Sequence, residues 1–146
     1  MPSSATPMTD EVHGLVDTNV VILRADLDAD ELPDVLSISA VTLAELTAGP
    51  HHTDDLAERA RRLDLLQRVE AAFDPLPLDT EAARAFGRVT AAVLASGRKP
   101  RGRPADLLIA STAIANRLPL YTTNPDDYRG TEDLVSIVAV THPDHR

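Results

Sequence analysis

Short apolar runs, set apart by longer stretches with helical periodicity, limit what this chain can fold into more than any other feature. Gly14-Leu15-Val16, Ser37-Ile38-Ser39, Leu120-Tyr121-Thr122 and Ile137-Val138-Ala139-Val140 each read as a brief buried strand. The first is predicted to end near Asp17, with a helix starting at Thr18. Residues 24–36 are acidic and carry Pro33, which predicts a short helix or loop. Ser39 is placed to cap a helix over 40–48 that Gly49-Pro50 stops. In 53–73, Leu56, Ala60, Leu63, Leu66, Val69 and Phe73 recur at helical spacing and predict one apolar face. After an extended Pro75–Leu78, Asp79 can cap a helix with Ala82, Phe86, Val89 and Val93 inward. Pro104 suits the first turn of a helix over 104–117, and Asn124–Asp127 reads as a turn. Strands alternating with helices predict an α/β fold, with a central, mainly parallel sheet and helices on both faces.

The chain has 146 residues, 43% of them hydrophobic and 25% charged, which suits one domain with an ordinary core. Residues 1–13 are polar and proline-containing and are expected to form a disordered leader, residues 14–141 the domain, and 142–146 a tail. Cysteine is absent, which excludes disulfides and thiolate metal sites. No signal-peptide pattern and no apolar run of about 18 residues is present, so a cytoplasmic protein without a membrane segment is expected. The net charge of −9 argues against a general nucleic-acid binder. Contact with RNA would need a local basic patch, and the densest one is Arg98, Lys99, Arg101 and Arg103.

Three carboxylates sit in apolar company. Asp17 follows Leu15-Val16, Glu45 lies between Leu43-Ala44 and Leu46, and Asp106 precedes Leu107-Leu108-Ile109-Ala110. A buried carboxylate is costly unless something pairs with it. Asp64 also has leucine neighbours, but Arg61 and Arg68 stand within a helical turn and can pair with it on the surface. Asp17 could simply cap a helix, Asp106 could favour a helix N-terminus, and Glu45 could form one salt bridge. All three, however, fall at the expected ends of successive elements. In a parallel α/β sheet the crevice lies beyond the carboxyl ends of the strands. Asp17, Glu45, Asp106 and the Asn124–Asp127 turn could meet there. Such a cluster would want a divalent cation, and oxygen ligands without cysteine suit magnesium or manganese.

Val16-Asp17-Thr18-Asn19-Val20, Glu45 within Val41–Leu46, Asp106 within Ala105–Ala110, and Thr122–Tyr128 resemble, in order, the acidic motifs of PIN-domain nucleases. The likeness spans about Gly14 to Val140 and is strongest to VapC-type toxins of bacterial type II toxin–antitoxin pairs. It implies a PIN-like three-layer fold and a Mg2+-dependent endoribonuclease, with Mn2+ as an alternative metal. Metal-activated water would cut RNA phosphodiesters to leave a 5′-phosphate and a 3′-hydroxyl. On this resemblance Asp17, Glu45 and Asp106 are catalytic. Together with Asp127 they hold the metal, while Asn19, Thr122 and Asn124 support them. A VapB-type antitoxin, an RNA substrate and a homodimer are the implied partners. Val20, Val21 and Leu23 are expected to form an apolar groove for the antitoxin. Where many members carry a fourth aspartate this chain has Asn124, so Asp127 is expected to supply the charge and Asp126 to face solvent. Tyr128 is expected to anchor the segment in the core.

Other chemistries find less support. His51 and His52 are adjacent and chelate poorly as a pair, and His13, His142 and His145 lie near the ends, leaving no acid–base histidine pair. Dinucleotide-binding, Walker A and nucleophile-elbow patterns are absent. Two rivals stand beside the ribonuclease. Asn124 permits a catalytically inactive PIN-like module that binds RNA or protein. An aspartate phosphotransferase or phosphatase often needs a second aspartate two residues after the nucleophile, and position 19 is asparagine.

Overall fold

The structure is a computed structural model and is described here for residues 10–99 and 104–145. Strands β1 (His13–Val16), β2 (Val35–Ser37), β3 (Leu120–Thr122) and β4 (Ile137–Ala139) form one sheet in the order β2-β1-β3-β4. Every pairing is parallel, with Leu15 opposite Ser37 and Leu120, and Tyr121 opposite Val138. The helices are α1 (Thr18–Leu23), α2 (Ala40–Ala48), α3 (Leu56–Ala72), α4 (Thr80–Ala95) and α5 (Pro104–Ala115).

The alternation of side chains along each strand builds the three layers. Leu15, Leu120 and Ile137 point to one face and pack with Ile109, Ala110 and Ala113 of α5. Val16, Tyr121 and Val138 point to the other and pack with Val20 and Val21 of α1 and with Leu65, Leu66 and Val69 of α3. Helix α4 lies outside α5, joined to it through Val89, Val93 and Leu107. Because helices cover both faces, β3 is buried along its whole length and β1 from Gly14 onward.

The expected elements form with small shifts. Gly14 is not the first residue of its strand: His13 opens β1, and Val12 N donates to Asp34 Oδ2 at 2.8 Å. Residues 1–9 of the expected leader lie outside the described residues. Strand β2 is Val35–Ser37 rather than Ser37–Ser39. Ser39 instead bridges Leu76 and caps α2 by accepting from Thr42 N. Residues 24–31 form two short 3-10 turns.

The apolar face assigned to 53–73 is wrong in its first half. Leu56 is 75% exposed and Leu63 is 43% exposed, and only the Leu65, Leu66, Val69 and Phe73 half packs inward. The N-terminal half of α3 faces the Gly49–His52 turn with arginines. Arg59 donates to the carbonyls of Pro50 and Thr53, and Arg62 to that of Gly49. Those bonds hold the helix by its polar side and leave the leucines outside.

Gly14 is set by a close approach. A Cβ there would run into the Tyr121 ring, 2.7 Å from Cδ1, and would lie 3.1 Å from Pro33 Cγ. Gly14→Ala should therefore destabilise the fold by about 1–3 kcal/mol through overpacking. Urea unfolding measures this directly, and an unchanged midpoint would contradict it.

Candidate active site

The carboxyl ends of β1 and β3 lie side by side, and the site grows from that edge. Asp17 N donates to Tyr121 O at 3.1 Å, which brings Asp17 beside the end of β3. Asp17 is the N-cap of α1, where its Oδ1 accepts from Val20 N at 3.1 Å. Its Oδ2 accepts from the Tyr128 hydroxyl at 3.3 Å, and the Thr122 hydroxyl also donates to it. Thr122 Oγ1 in turn accepts from Asn124 N at 3.0 Å. The side chain is 4% exposed despite its charge. Burial pushes its carboxyl above the usual aspartate range, the donors from Thr122, Val20 and Tyr128 pull it back, and the nearby charge of Asp127 adds to the rise.

Tyr128 organises the rest. It is fully buried, and burial together with the charges of Asp17, Asp106 and Asp127 pushes its phenol far above the usual tyrosine range. The hydroxyl is therefore a permanent donor with three carboxylates bearing on it. Asp106 stands in the first turn of α5 and is half-buried. Asp127 lies in the 3-10 turn Pro125–Tyr128 and is buried, whereas Asp126 is exposed and paired with Arg129.

A cleft of about 790 Å³ opens over these groups. Asp17, Thr18, Asn19, Glu45, Asp106 and Asp127 line it on the side of the sheet. Glu45 reaches it from α2 but is exposed, contrary to the burial inferred from its leucine neighbours. Thr42 and Leu46 are the buried residues of that helix, and Glu45 comes out one step further round. The Thr18 hydroxyl donates to Glu45 Oε1 and lies 3.0 Å from Thr42 Oγ1. With its own proton on the carboxylate, Thr18 can accept from Thr42, so the hydroxyls tie α1 to α2 at the rim.

The remaining expected residues separate. Asn124 is exposed and does not line the cleft, its backbone being used in the turn. Arg98 donates to the Arg129 carbonyl and Lys99 is exposed, while Arg101 and Arg103 lie outside the described residues. Of the residues expected at an apolar groove, Val20 and Val21 are buried and Leu23 is half-buried. Their neighbour Ile22 is 52% exposed and lines both the cleft and a second trough of about 460 Å³. That trough is bounded by Val21, Leu36, Leu65, Val69 and Phe73, so Val21 does line a groove, whereas Val20 and Leu23 do not.

Sequence reasoning missed the other wall. Glu58, Arg61, Arg62, Asp64 and Arg68 of α3 also line the cleft. Arg68 pairs with Asp64 as expected, but Arg61 pairs with Glu58. Both Arg61 and Arg62 bond to Glu58 and hold its carboxyl below the usual range. The signal was present as four arginines between residues 59 and 68 of an acidic chain.

The donor chemistry at the inner wall, carboxylate and hydroxyl oxygens only, fits a hard divalent cation. Such a charge would also offset the repulsion that bears on Asp17 and Tyr128. Among the described residues no three His, Asp or Glu side chains yet converge on one point. The carboxylates are held by their neighbours instead, and closing on an ion would take side-chain rotation.

A PIN domain matches residues 14–132, and the chain belongs to the PIN-domain family. Within it, the chain is 36% identical over 132 residues to Ribonuclease VapC5 of Mycobacterium tuberculosis, covering 88% of this chain and 95% of that protein. It is 35% identical to Ribonuclease VapC8 of the same species, over 68% of this chain and 89% of that protein. Among solved structures, a member of the VapBC family of toxin–antitoxin systems, VapBC-5 of Mycobacterium tuberculosis, superposes with a TM-score of 0.78. That likeness has 37% identity and covers 88% of this chain and 99% of the other. A VapBC-1 structure from Haemophilus influenzae shares the fold at a TM-score of 0.69 and 21% identity, over 88% of this chain and 98% of that one.

Asp17 should cost stability when ionised. Its folded-state pKa is raised, so the penalty is full above that value and is relieved as pH falls through it. Asp17→Asn keeps an oxygen for Val20 N and has no charge to bury. In EDTA it should melt above wild type at neutral pH. The gap should narrow as pH is lowered towards the ordinary aspartate range. A variant that melts below wild type at pH 7 would show that the charge is compensated.

Proposed function

We propose that this chain is the toxin of a toxin–antitoxin pair, a cytosolic metal-dependent endoribonuclease acting at the cleft over Asp17. The observation that supports it most is the gathering of Asp17, Asp106 and Asp127 around one buried phenol at the sheet's carboxyl edge. Negative charge concentrated there, on a cleft open to solvent, favours a divalent cation. The curated relatives named ribonucleases support the same reading.

Asp17, Asp106 and Asp127 would hold the metal with Glu45 at the rim, and a divalent cation such as magnesium would polarise the phosphodiester and acidify water. The Val20 amide, Thr122 and Tyr128 fix the direction of the Asp17 carboxylate. Thr18 donates to Glu45 and holds its carboxylate at the cleft. Asn19, also exposed on the cleft, is placed to hydrogen-bond the substrate. Asn124 contributes only its backbone amide, to Thr122, and does not line the cleft, so its lack of charge leaves the inner cluster intact. The trough beside the cleft, apolar and about 460 Å³ in volume, is the seat we assign to the antitoxin.

Cleavage of total RNA with magnesium, with and without EDTA, tests the reading. Asp17→Asn and Asp106→Asn should lower the rate at least about a hundredfold, the lower end of what positioned acid–base groups contribute. Circular dichroism should show the fold retained. Wild-type rates from both variants would refute the assignment. In a magnesium titration Asp127→Asn should raise the midpoint on the order of tenfold, because affinity follows ligand charge, and Asp126→Asn should not. Equal midpoints for wild type and Asp127→Asn would make Asp127 a structural residue only. Expression without a partner should arrest growth.

A further inference from the structure

We propose that Arg61 and Arg68 of α3 form the surface on which the backbone of a single-stranded RNA is laid, facing the carboxylate wall. The inference rests on the ribonuclease reading. The chain carries a net charge of −9, and a polyanion entering this cleft meets Asp17, Glu45, Asp106 and Asp127 on one side. Charge of the opposite sign comes from α3, which supplies every arginine among the described residues that line the cleft.

The three arginines are not equivalent. Arg62 is committed: its side chain is 37% exposed, it donates to the Gly49 carbonyl, and it pairs with Glu58 at 2.8 Å. Arg61 and Arg68 are 66% and 70% exposed, and each has a carboxylate as partner, Glu58 at 2.8 Å and Asp64 at 3.0 Å. Their anchors are thus side chains on their own helix, whereas Arg62 is also tied to the backbone of the neighbouring turn. Exposed ion pairs of this kind add little to stability, so a phosphate can replace the carboxylate at small cost. The two arginines lie two turns apart on one face, about 10 Å along the helix axis. They can therefore grip separated phosphates of one strand without reading its bases. Guanidinium suits that task because it offers two parallel donors to a phosphate.

Glu58 and Asp64 then act as internal competitors for the RNA. The pairs occupy the guanidinium groups in the free protein and weaken binding in a salt-dependent way. This gives the proposal two signs to test. Removing the arginines should weaken RNA binding, whereas neutralising their partners should strengthen it.

The measurement is fluorescence anisotropy of a labelled single-stranded RNA of mixed sequence. It uses the full chain with calcium in place of magnesium, over a range of salt concentrations. For Arg61→Gln/Arg68→Gln, the slope of log K against log salt should become shallower by roughly 0.7 for each phosphate that is no longer neutralised. Asp64→Asn should bind more tightly than wild type at low salt. Arg84→Gln, which breaks an exposed pair with Glu81 outside the cleft, should leave the slope unchanged. A double variant with the wild-type slope and affinity overturns the proposal while wild type still cuts RNA. So does a slope equally reduced by Arg84→Gln, which would mean a general charge effect. A wild-type protein that neither binds nor cuts RNA overturns the ribonuclease reading itself.

Discussion

The buried carboxylate of Asp17 is the constraint around which the molecule is arranged. A charge at that depth is tolerated only because three donors converge on it, from the Val20 amide, Thr122 and Tyr128. Each donor comes from a different structural commitment. The amide requires α1 to start at Thr18. Thr122 requires β3 to run parallel to β1 in the register that sets Val16 opposite Tyr121. Tyr128 requires the turn after β3 to fold back into the core. A slip of one residue in β3 would send Thr122 to the wrong face and Tyr121 away from the α1 side of the sheet. The register is thus held by the core and by the site together.

The two faces of the sheet divide the work. The α5 face is built from Leu15, Ile109, Ala110, Leu120 and Tyr128, and it delivers Asp106 and Tyr128 to the edge. Small residues at Ala110 and Ala113 let α5 approach the sheet closely, which keeps Asp106 within electrostatic reach of the phenol. The α1 and α3 face is more open and carries both the cleft and the apolar trough. Asp17 is fixed at the start of α1 and Asp106 in the first turn of α5, so the cleft draws its carboxylates from both faces of the sheet.

Much of this was legible because it depends on local pattern. The strand-then-acid order at Val16-Asp17, the Ser39 cap and the Pro104 start each follow from residues within a few positions of one another. The Asp126/Asp127 distinction was also readable, since Asp126 stands where a turn residue faces solvent. What the sequence hid depends on helix phase and on side chains that meet across the fold. Glu45 shares its leucine neighbours with buried positions, yet α2 turns it outward. Leu56 and Leu63 fit a helical stripe, but Arg59 and Arg62 bind backbone carbonyls and set the rotation of α3 instead. The Tyr128 hydroxyl was read as part of a core anchor, because no pattern within the segment shows that its tip meets Asp17, which lies 111 positions earlier.

The position of Arg68 links the surfaces that these considerations separate. It lines the cleft and the trough together with Ile22 and Leu65. A helix or strand seated in the trough would lie against the aliphatic stem of Arg68, and its charged end would decide which way the guanidinium points. An apolar occupant needs no contact with Asp17 or Asp106 to interfere with a polyanion, because it only has to withdraw one cation from the α3 wall. Asp17, by contrast, is held by the Thr122 and Tyr128 hydroxyls and the Val20 amide, and none of these three residues lines the trough. Occupying the trough and assembling the carboxylates are thus physically separable.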